Sequence, residues 1–528
     1  MKLAGMASNR GRNLLHIADR APGGAEFSVI VTNDADAPVL AAAAERDIPT
    51  EVVERDADES REAHEERVLD ALEGYDFDLV TLDGYMRVLT ETFRDATPTT
   101  LNVHPSLLPS FPGANAHEQV LDADVSVSGA TVHVVTEAVD EGPIVTQEPV
   151  AVYDDDDAAS LKERVLHDAE FKAYPRAVKW FAEGEAELVG DEVTVTADAA
   201  AELPLRRIEG ADRTADLRYG ENPHQDAAVY GDASCEEPSV VDAEQRNEGA
   251  KALSYNNYND ADGALSLIKE FERPAAAAIK HTNPAGCATA DTLAEAYADA
   301  LATDPMSAFG GIVSLNRTCD QETAELIVDS FKEVVVAPGY TDGALDVLTT
   351  QENLRVLDVG GDELGPDVVS ETYTDQSLVG GRLVQERDTW APDPDDLEVV
   401  TEAEPTEAQI ETMCFSWRVL KHVMSNGIVL AKDTETVGVG MGQVSRVDAV
   451  RLAAMKAEEH AEEKGPEGSV MASDAFFPFP DAVEEAAKAG VEAIVQPGGS
   501  NNDEAVIETA NEHGIAMAFT GNRTFRHS

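Results

Sequence analysis

Apolar positions at the start of the chain cluster in the short run KLAGMAS, give way to the polar stretch NRGRN, and recur at helical spacing in NLLHIADRA. That order predicts a strand, a glycine-containing turn and a helix. Apolar runs at FSVIVT (27–32) and FDLVTLDGYM (77–86) predict further strands, with a helix over SREAHEERVLDALEG between them. Strands alternating with helices indicate an α/β domain with a mainly parallel sheet. Two more strand patterns, ATVHVVT and GPIVTQEPVAV, precede a long helical stretch, ASLKERVLHDAEFKAYPRAVKWFAEG, which Pro175 is expected to kink or divide. From 184 to 205 the periodicity fades into small, acidic and strand-like residues, and a domain boundary is placed at 190–205. The second half again mixes alanine-rich helices with strands such as GIVSL, EVVVAPGY and EAIVQPGG, and shows no short internal repeat.

Composition narrows the class. The 528 residues exceed what one compact core holds and call for at least two domains. Four cysteines (Cys235, Cys287, Cys319, Cys414) lie far apart without a CxxC pair, which argues for a reducing compartment rather than a disulfide framework or zinc knuckle. The start, MKLAGMASNRGRN, has no signal-peptide or anchor pattern, and no run is long and apolar enough to span a bilayer. The expected location is cytoplasmic. Charge is the unusual feature: 102 acidic against 39 basic residues, a net −63, with the longest pure acidic run only Asp154–Asp157. Carboxylates spread over a whole surface indicate adaptation to high salt, where counter-ions screen self-repulsion. They exclude nonspecific binding to nucleic acid or anionic membrane. Any anionic substrate must be held by local Arg, Lys and backbone N–H groups.

In the first half the most informative segment is LNVHPSLLPSFPG (101–113). Residues two apart on a strand share a face, so Asn102 and His104 can point into one pocket. TVHVVTEAVDEGP then supplies His133 and Asp140 before a Gly-Pro turn. Residues 1–185 resemble glycinamide ribonucleotide formyltransferase along the whole domain. The resemblance implies a catalytic set of Asn102, His104 and Asp140, and a phosphate loop over residues 9–13 including Gly11 and Asn13. It implies amine-substrate contacts at Arg61 and Glu170, and folate contacts at Met86, Arg87, Val88, Leu89 and Thr136. The loop has one glycine where the family has two, and ANAH follows SFPG. The chemistry suits these residue types. A primary amine attacks the formyl carbon on N10 of tetrahydrofolate and an oxyanion develops. Asn102 and a charged His104 can donate to it, while Asp140 orients the imidazole. A helix start beside Gly11 offers N–H groups to a phosphate. Methionyl-tRNA formyltransferase shares the triad but calls for a basic surface and usually a barrel domain. Formyltetrahydrofolate hydrolase, or a folate-binding domain without turnover, stays as the alternative. His117-Glu118 lacks the second histidine of a zinc helix.

In the second half AAAAIKHTNPAG (275–286) predicts a strand ending at Lys280-His281 and a turn over Asn283-Pro284-Ala285-Gly286. With LRYGENPHQ, LSYNN, MSAFGG, SNG, GMGQVSR, SDAFFPF and the tail NRTFRHS, residues 206–528 resemble the AICAR (aminoimidazole carboxamide ribonucleotide) formyltransferase domain of the bifunctional purine biosynthesis enzyme. The resemblance implies His281 as proton acceptor with Lys280 as its catalytic neighbour. It places Arg218, Tyr219 and Arg523 around the nucleotide phosphate, and Asn256, Gly310, Glu333, Asn426 and Arg446 at other nucleotide positions. Phe476, Asp481, Ser500, Asn501 and Phe525 fall around the folate or the base. It also implies a homodimer through this domain. The acceptor amine is conjugated and a poor nucleophile, which suits a neutral histidine base.

The expected architecture is therefore α/β twice over. A Rossmann-like formyltransferase domain (1–195) precedes a larger α/β AICAR transformylase domain of cytidine deaminase-like fold (206–528). Both sites would use 10-formyltetrahydrofolate as co-substrate, neither a metal, and no room is left for a cyclohydrolase domain.

Overall fold

In the computed structural model these alternating patterns build two compact units, Met1–Ile208 and Glu209–Ser528. The structure describes all residues except 57, 191, 197–202, 204–206, 209, 248, 249 and 528, so the expected boundary at 190–205 lies largely outside the described residues.

The first unit is a seven-stranded sheet in the order β3 (Thr50–Val52), β2 (Glu26–Thr32), β1 (Lys2–Met6), β4 (Leu79–Leu82), β5 (Thr100–His104), β6 (Val127–Val134), β7 (Ile144–Ala151). The first five are parallel and the last two antiparallel. Strands β1 and β4 are buried along almost their whole length, as central strands covered on both faces require. The chain winds outward from β1 to β3 and then returns to lay β4 on the other side of β1. That reversal is a topological switch point, where open α/β sheets place a ligand crevice at the carboxyl ends of the strands. Helix α1 (Arg12–Arg20) follows β1 at this edge.

Two local expectations are corrected. The strand expected over 77–86 covers only Leu79–Leu82, because Gly84 turns left-handed (φ 60°) and Asp83 is diverted into a helix-capping contact. The late helical stretch is divided, but upstream of Pro175. Ala158–Arg164 passes into a π-helical segment, Val165–Glu170, and Pro175 lies inside the following helix Phe171–Glu183. The proline ring clashes with the carbonyl four residues earlier, here Phe171 at the junction, so the irregular turn falls there.

The second unit centres on two hairpins, Ala275–Lys280 with Asn283–Thr289 and Ile428–Lys432 with Glu435–Gly440, which meet where Ala288 pairs with Glu435. Outward from the first hairpin run Ile312–Leu315, Val334–Ala337 and Arg355–Asp358. Outward from the second run Val470–Ser473, Ala493–Gln496 and Ala516–Phe519. The two halves of this twelve-stranded sheet mirror each other in order, a repeat of elements without a repeat of sequence. Each hairpin uses glycine to admit the next helix. A Cβ at Gly286 would lie 1.9 Å from Ala300 O, and one at Gly440 2.0 Å from Ala449 O. A separate hairpin, Tyr373–Leu378 with Gly381–Glu386, exposes Leu378, Val379 and Leu383. Among the described residues no helix is long and apolar enough to cross a membrane.

Candidate active sites

In the first unit the pairing of β5 with β6 sets Asn102 opposite His133, and Asn102 Nδ2 lies 3.1 Å from His133 Nε2. The loop after β6 returns Asp140, in a left-handed conformation (φ 58°), beneath both histidines. Asp140 Oδ2 is 3.3 Å from His104 Nδ1 and Oδ1 is 3.6 Å from His133 Nε2. Gly113 N–H donates to Oδ2 at 2.8 Å. Burial works against the ionised carboxyl of Asp140, but the His133 contact, the Gly113 N–H and the charge of His104 outweigh it and hold the group below its usual range. His104 Nε2 faces Phe111 O at 2.8 Å. The His104 ring thus lies between the Asp140 carboxyl and the Phe111 carbonyl. His117 adds a neutral imidazole: burial, with Lys162 and His104 nearby, pushes it down to about 4.

At the switch point Gly11 adopts φ 56°, and a Cβ there would lie 2.6 Å from Val39 Cγ2, so the residue is fixed as glycine by both conformation and space. Asn13 is buried and donates its backbone N–H to Asp83 Oδ2 (2.8 Å), and its Nδ2 to Asp83 Oδ1 (3.2 Å) and Glu170 Oε2 (2.5 Å). The Leu14 N–H also supports the Asp83 carboxylate. Two N–H groups of the helix start that the sequence offers to a phosphate are thus engaged by an internal anion, which a helix N-terminus favours. Burial pushes the Glu170 carboxyl up to about 7, against the Asn13 contact and aided by the charge of Asp83; burial raises Asp83 as well. Arg12 is engaged by Glu163 at 2.8 and 3.0 Å. Arg61 opens helix α2 (Arg61–Leu72) on the surface, and among the described residues no hydrogen bond or ion pair joins it to this group. Of the Met86–Leu89 run, Met86 is exposed and Leu89 buried, with Met86 N–H donating to Ser8 Oγ (3.1 Å); Thr136 Oγ1 donates to Ala138 O (3.3 Å).

In the second unit the turn expected at Asn283–Gly286 is instead a two-residue turn at His281-Thr282, both left-handed (φ 52° and 59°), while Asn283–Thr289 is a strand. Asn283 Nδ2 donates to His281 O (2.9 Å), which draws that residue into the ladder. Lys280, the last strand residue, donates to Phe309 O at 2.6 Å, and a Cβ on Gly310 would lie 3.6 Å from its Nζ. Asn283 Oδ1 accepts from Met424 N–H (3.0 Å), which ties the turn to Asn426. Arg446 donates to Asn426 Oδ1 (2.8 Å) and to the buried Asp474, whose Oδ2 also accepts from Ser425 Oγ (2.6 Å) and Gly427 N–H (2.8 Å). The tail docks on the same carboxylate segment through Thr524 N–H to Asp474 O (3.0 Å). Arg523 lies over Phe525 at 5.0 Å, and Arg218 over Tyr219 at 4.8 Å. Glu333 accepts from Asn257, the neighbour of Asn256, at 2.9 Å; Asn256 donates instead to Glu221 O (3.5 Å). Asn502 Nδ2 donates to Pro478 O (2.7 Å), which brings the Ser500–Asn501 loop to the Phe476–Asp481 segment. Phe476 and Phe525 are both 41% exposed, open to a planar ligand. Asp83, Asp260, Asn257 and Asp474 were passed over by sequence reasoning. Asn257, inside LSYNN, and Asp474, inside SDAFFPF, carried a signal there.

The first unit gathers Asn102, His104, His133 and Asp140, and residues 1–178 match the family described as Formyl transferase. A second family, described as AICARFT/IMPCHase bienzyme, matches residues 171–456, and the chain belongs to it. The bifunctional purine biosynthesis protein PurH of Halalkalibacterium halodurans is 51% identical over 312 residues, 59% of each chain. PurH of Brucella abortus is 50% identical over 364 residues, 67% of this chain and 64% of that protein. The chain thus spans 59–64% of the length of these relatives. Among solved structures, glycinamide ribonucleotide transformylase 1 from Symbiobacterium toebii is 37% identical and covers 37% of this chain and 94% of its own, with a TM-score of 0.36.

Proposed function

We propose that the chain is a bifunctional folate-dependent formyltransferase of inosine monophosphate synthesis. It would transfer formyl from 10-formyltetrahydrofolate to glycinamide ribonucleotide in the first unit and to AICAR in the second. The observation that carries this reading is the presence, in one chain, of two constellations: Asn102 on His133 with Asp140 facing both His133 and His104, and a Lys280-His281 turn joined through Asn283 and Met424 to the segment whose Asn426 meets Arg446.

In the first unit the attacking amine meets the formyl carbon beside Asn102 and His104. Asn102 keeps one N–H for the developing oxyanion; His104, turning Nε2 away from Phe111 O, protonates N10 as the C–N10 bond breaks and takes up the proton that the attacking nitrogen loses. Asp140 balances the imidazolium. In the second unit His281 takes the proton of the conjugated amine as its bond forms, while Lys280 stabilises the oxyanion or protonates N10. The exposed Tyr373–Glu386 hairpin, with Leu378, Val379 and Leu383 outward, fits a homodimer contact. The protein is taken to be cytoplasmic and adapted to high salt.

The rival for the first unit is hydrolysis of the formyl donor, favoured by Asp83 engaging N–H groups that a phosphate would use. A formyl-transfer assay with each amine and 10-formyltetrahydrofolate in molar potassium chloride separates the readings. Formate release without a formylated amine would establish the rival. We also infer that ring closure is absent: the first unit occupies the place of a cyclohydrolase. Given AICAR, the protein should accumulate the formylated ribonucleotide; enzyme-dependent inosine monophosphate in the chromatogram would refute this.

A further inference from the structure

The strands Ala275–Lys280 and Asn283–Thr289 are closed by a Lys280–Asn283 pair, which leaves His281 and Thr282 as the whole loop. A two-residue hairpin with both residues at positive φ is the turn that selects Asn-Gly. Here it holds a histidine and a β-branched threonine, at a cost of about 1–2 kcal/mol for each left-handed residue. Such a conformation persists only where its surroundings over-determine it. The over-determining group is Asp260, on the helix Tyr255–Ile268: its Oδ1 accepts the Thr282 N–H at 2.8 Å, and its Oδ2 lies 3.3 Å from the His281 N–H. One carboxylate spans the two adjacent amides of the turn.

The mirrored half of the sheet supplies an internal control. Its hairpin turns at Asp433-Thr434, where only Asp433 is left-handed (φ 50°). Among the described residues, no side chain of the preceding helix Glu407–Leu420 accepts a hydrogen bond from that turn. The hairpin architecture therefore forms without a carboxylate clamp, and the clamp occurs where the loop carries an imidazole. Lys280 is held separately, through Phe309 O.

We propose that Asp260 is a positioning residue for His281: its carboxylate fixes the strained turn so that the imidazole is aimed at the acceptor amine. This rests on the reading of His281 as the base for transfer to AICAR. A residue acting only through His281 should change turnover rather than binding, and should matter only while His281 is present. Asp260→Ala is expected to lower kcat for AICAR formylation about 30–100-fold with KM for AICAR within about threefold, and Asp260→Asn, which keeps one acceptor oxygen, about tenfold. A cooperative thermal unfolding transition of the second unit close to that of wild type reports that the Asp260 variants are folded. The deciding measurement is the double variant. Asp260→Ala added to His281→Ala should cost less than about twofold further. Additive losses, an unchanged kcat in Asp260→Ala, or a raised KM at unchanged kcat would each overturn the proposal. If His281→Ala itself retains full kcat, the base assignment fails, a result that does not depend on any Asp260 variant.

Discussion

The two units hold their histidines by different means. In the first, His104 sits on a regular strand and is fixed through its side chain, between Asp140 and the Phe111 carbonyl. In the second, His281 is fixed through its backbone, and among the described residues no carboxylate forms an ion pair with its ring. The proposed roles differ in the same way: His104, beside Asp140, is assigned to give a proton and His281 to receive one. The contrast follows the proposed acceptors: an aliphatic amine attacks without help and needs its oxyanion stabilised, whereas a conjugated amine must be deprotonated as it attacks.

The comparison is broken most directly at the histidines. His104→Ala should reduce transfer to glycinamide ribonucleotide about a thousandfold and leave AICAR formylation within a few-fold; His281→Ala should do the converse. Steady-state assays of both reactions on one preparation decide it, and a single change that removes both activities in a folded protein ends the two-site account. Asp140→Asn sharpens the contrast. It should cost the first reaction about a hundredfold, because His104 loses the carboxylate it faces, and leave the second untouched. Because Asp140 titrates below the usual carboxylate range, the stability it contributes is present above the unfolded carboxylate value and lost as pH falls through the folded one. Melts of wild type and Asp140→Asn should therefore converge in strong acid.

Glu170 acts in the opposite sense. Burial raises it to about 7, so the folded unit binds more protons than the unfolded chain between roughly pH 4.3 and 7, and stability falls as pH rises through that window. Glu170→Gln should stabilise the first unit above pH 7, by up to ~3 kcal/mol. It should also weaken binding of glycinamide ribonucleotide if Glu170 is its contact. A melting temperature that does not rise at pH 8 would remove the buried-carboxyl account.

The sequence carried the two architectures because period-2 and period-3.6 patterns alternate cleanly, and it brought Asn102 and His104 to one face because both lie on a single strand. What it could not carry were partners set by tertiary folding. Asn13 meets Glu170 across 157 residues. Asp83 reads as a strand end until helix α1 is seen to dock on it. The His281-Thr282 turn was misplaced for a sharper reason: neither residue favours the left-handed region, while Asn-Pro-Ala-Gly next to it does suit a turn. The local preference there is overridden by the Asn283 contact and the Asp260 clamp, and such overrides concentrate at sites under functional constraint.

The smallest expected effect asks whether the units differ at all in their surfaces. Residues 1–208 carry 42 acidic and 17 basic side chains, and residues 209–528 carry 60 and 22, so the net charges of −25 and −38 amount to nearly the same density per residue. Unlike the histidine chemistry, the acid surplus is a property both units share. Raising salt from 0.1 M to 1 M shortens the screening length from ~10 Å to ~3 Å, which removes repulsion between carboxylates that are neighbours without being in contact. Contacts inside the pockets, such as Asp140 with His104, are short and enclosed and lose much less. Scanning calorimetry across this range should thus raise the melting temperature of both units by a few degrees and in parallel. The ratio of the two transfer activities should stay nearly constant after correction for unfolded protein. A flat or falling melting temperature in both would withdraw the high-salt adaptation. A rise confined to one unit would show that particular ion pairs, not the shared surface charge, set the response.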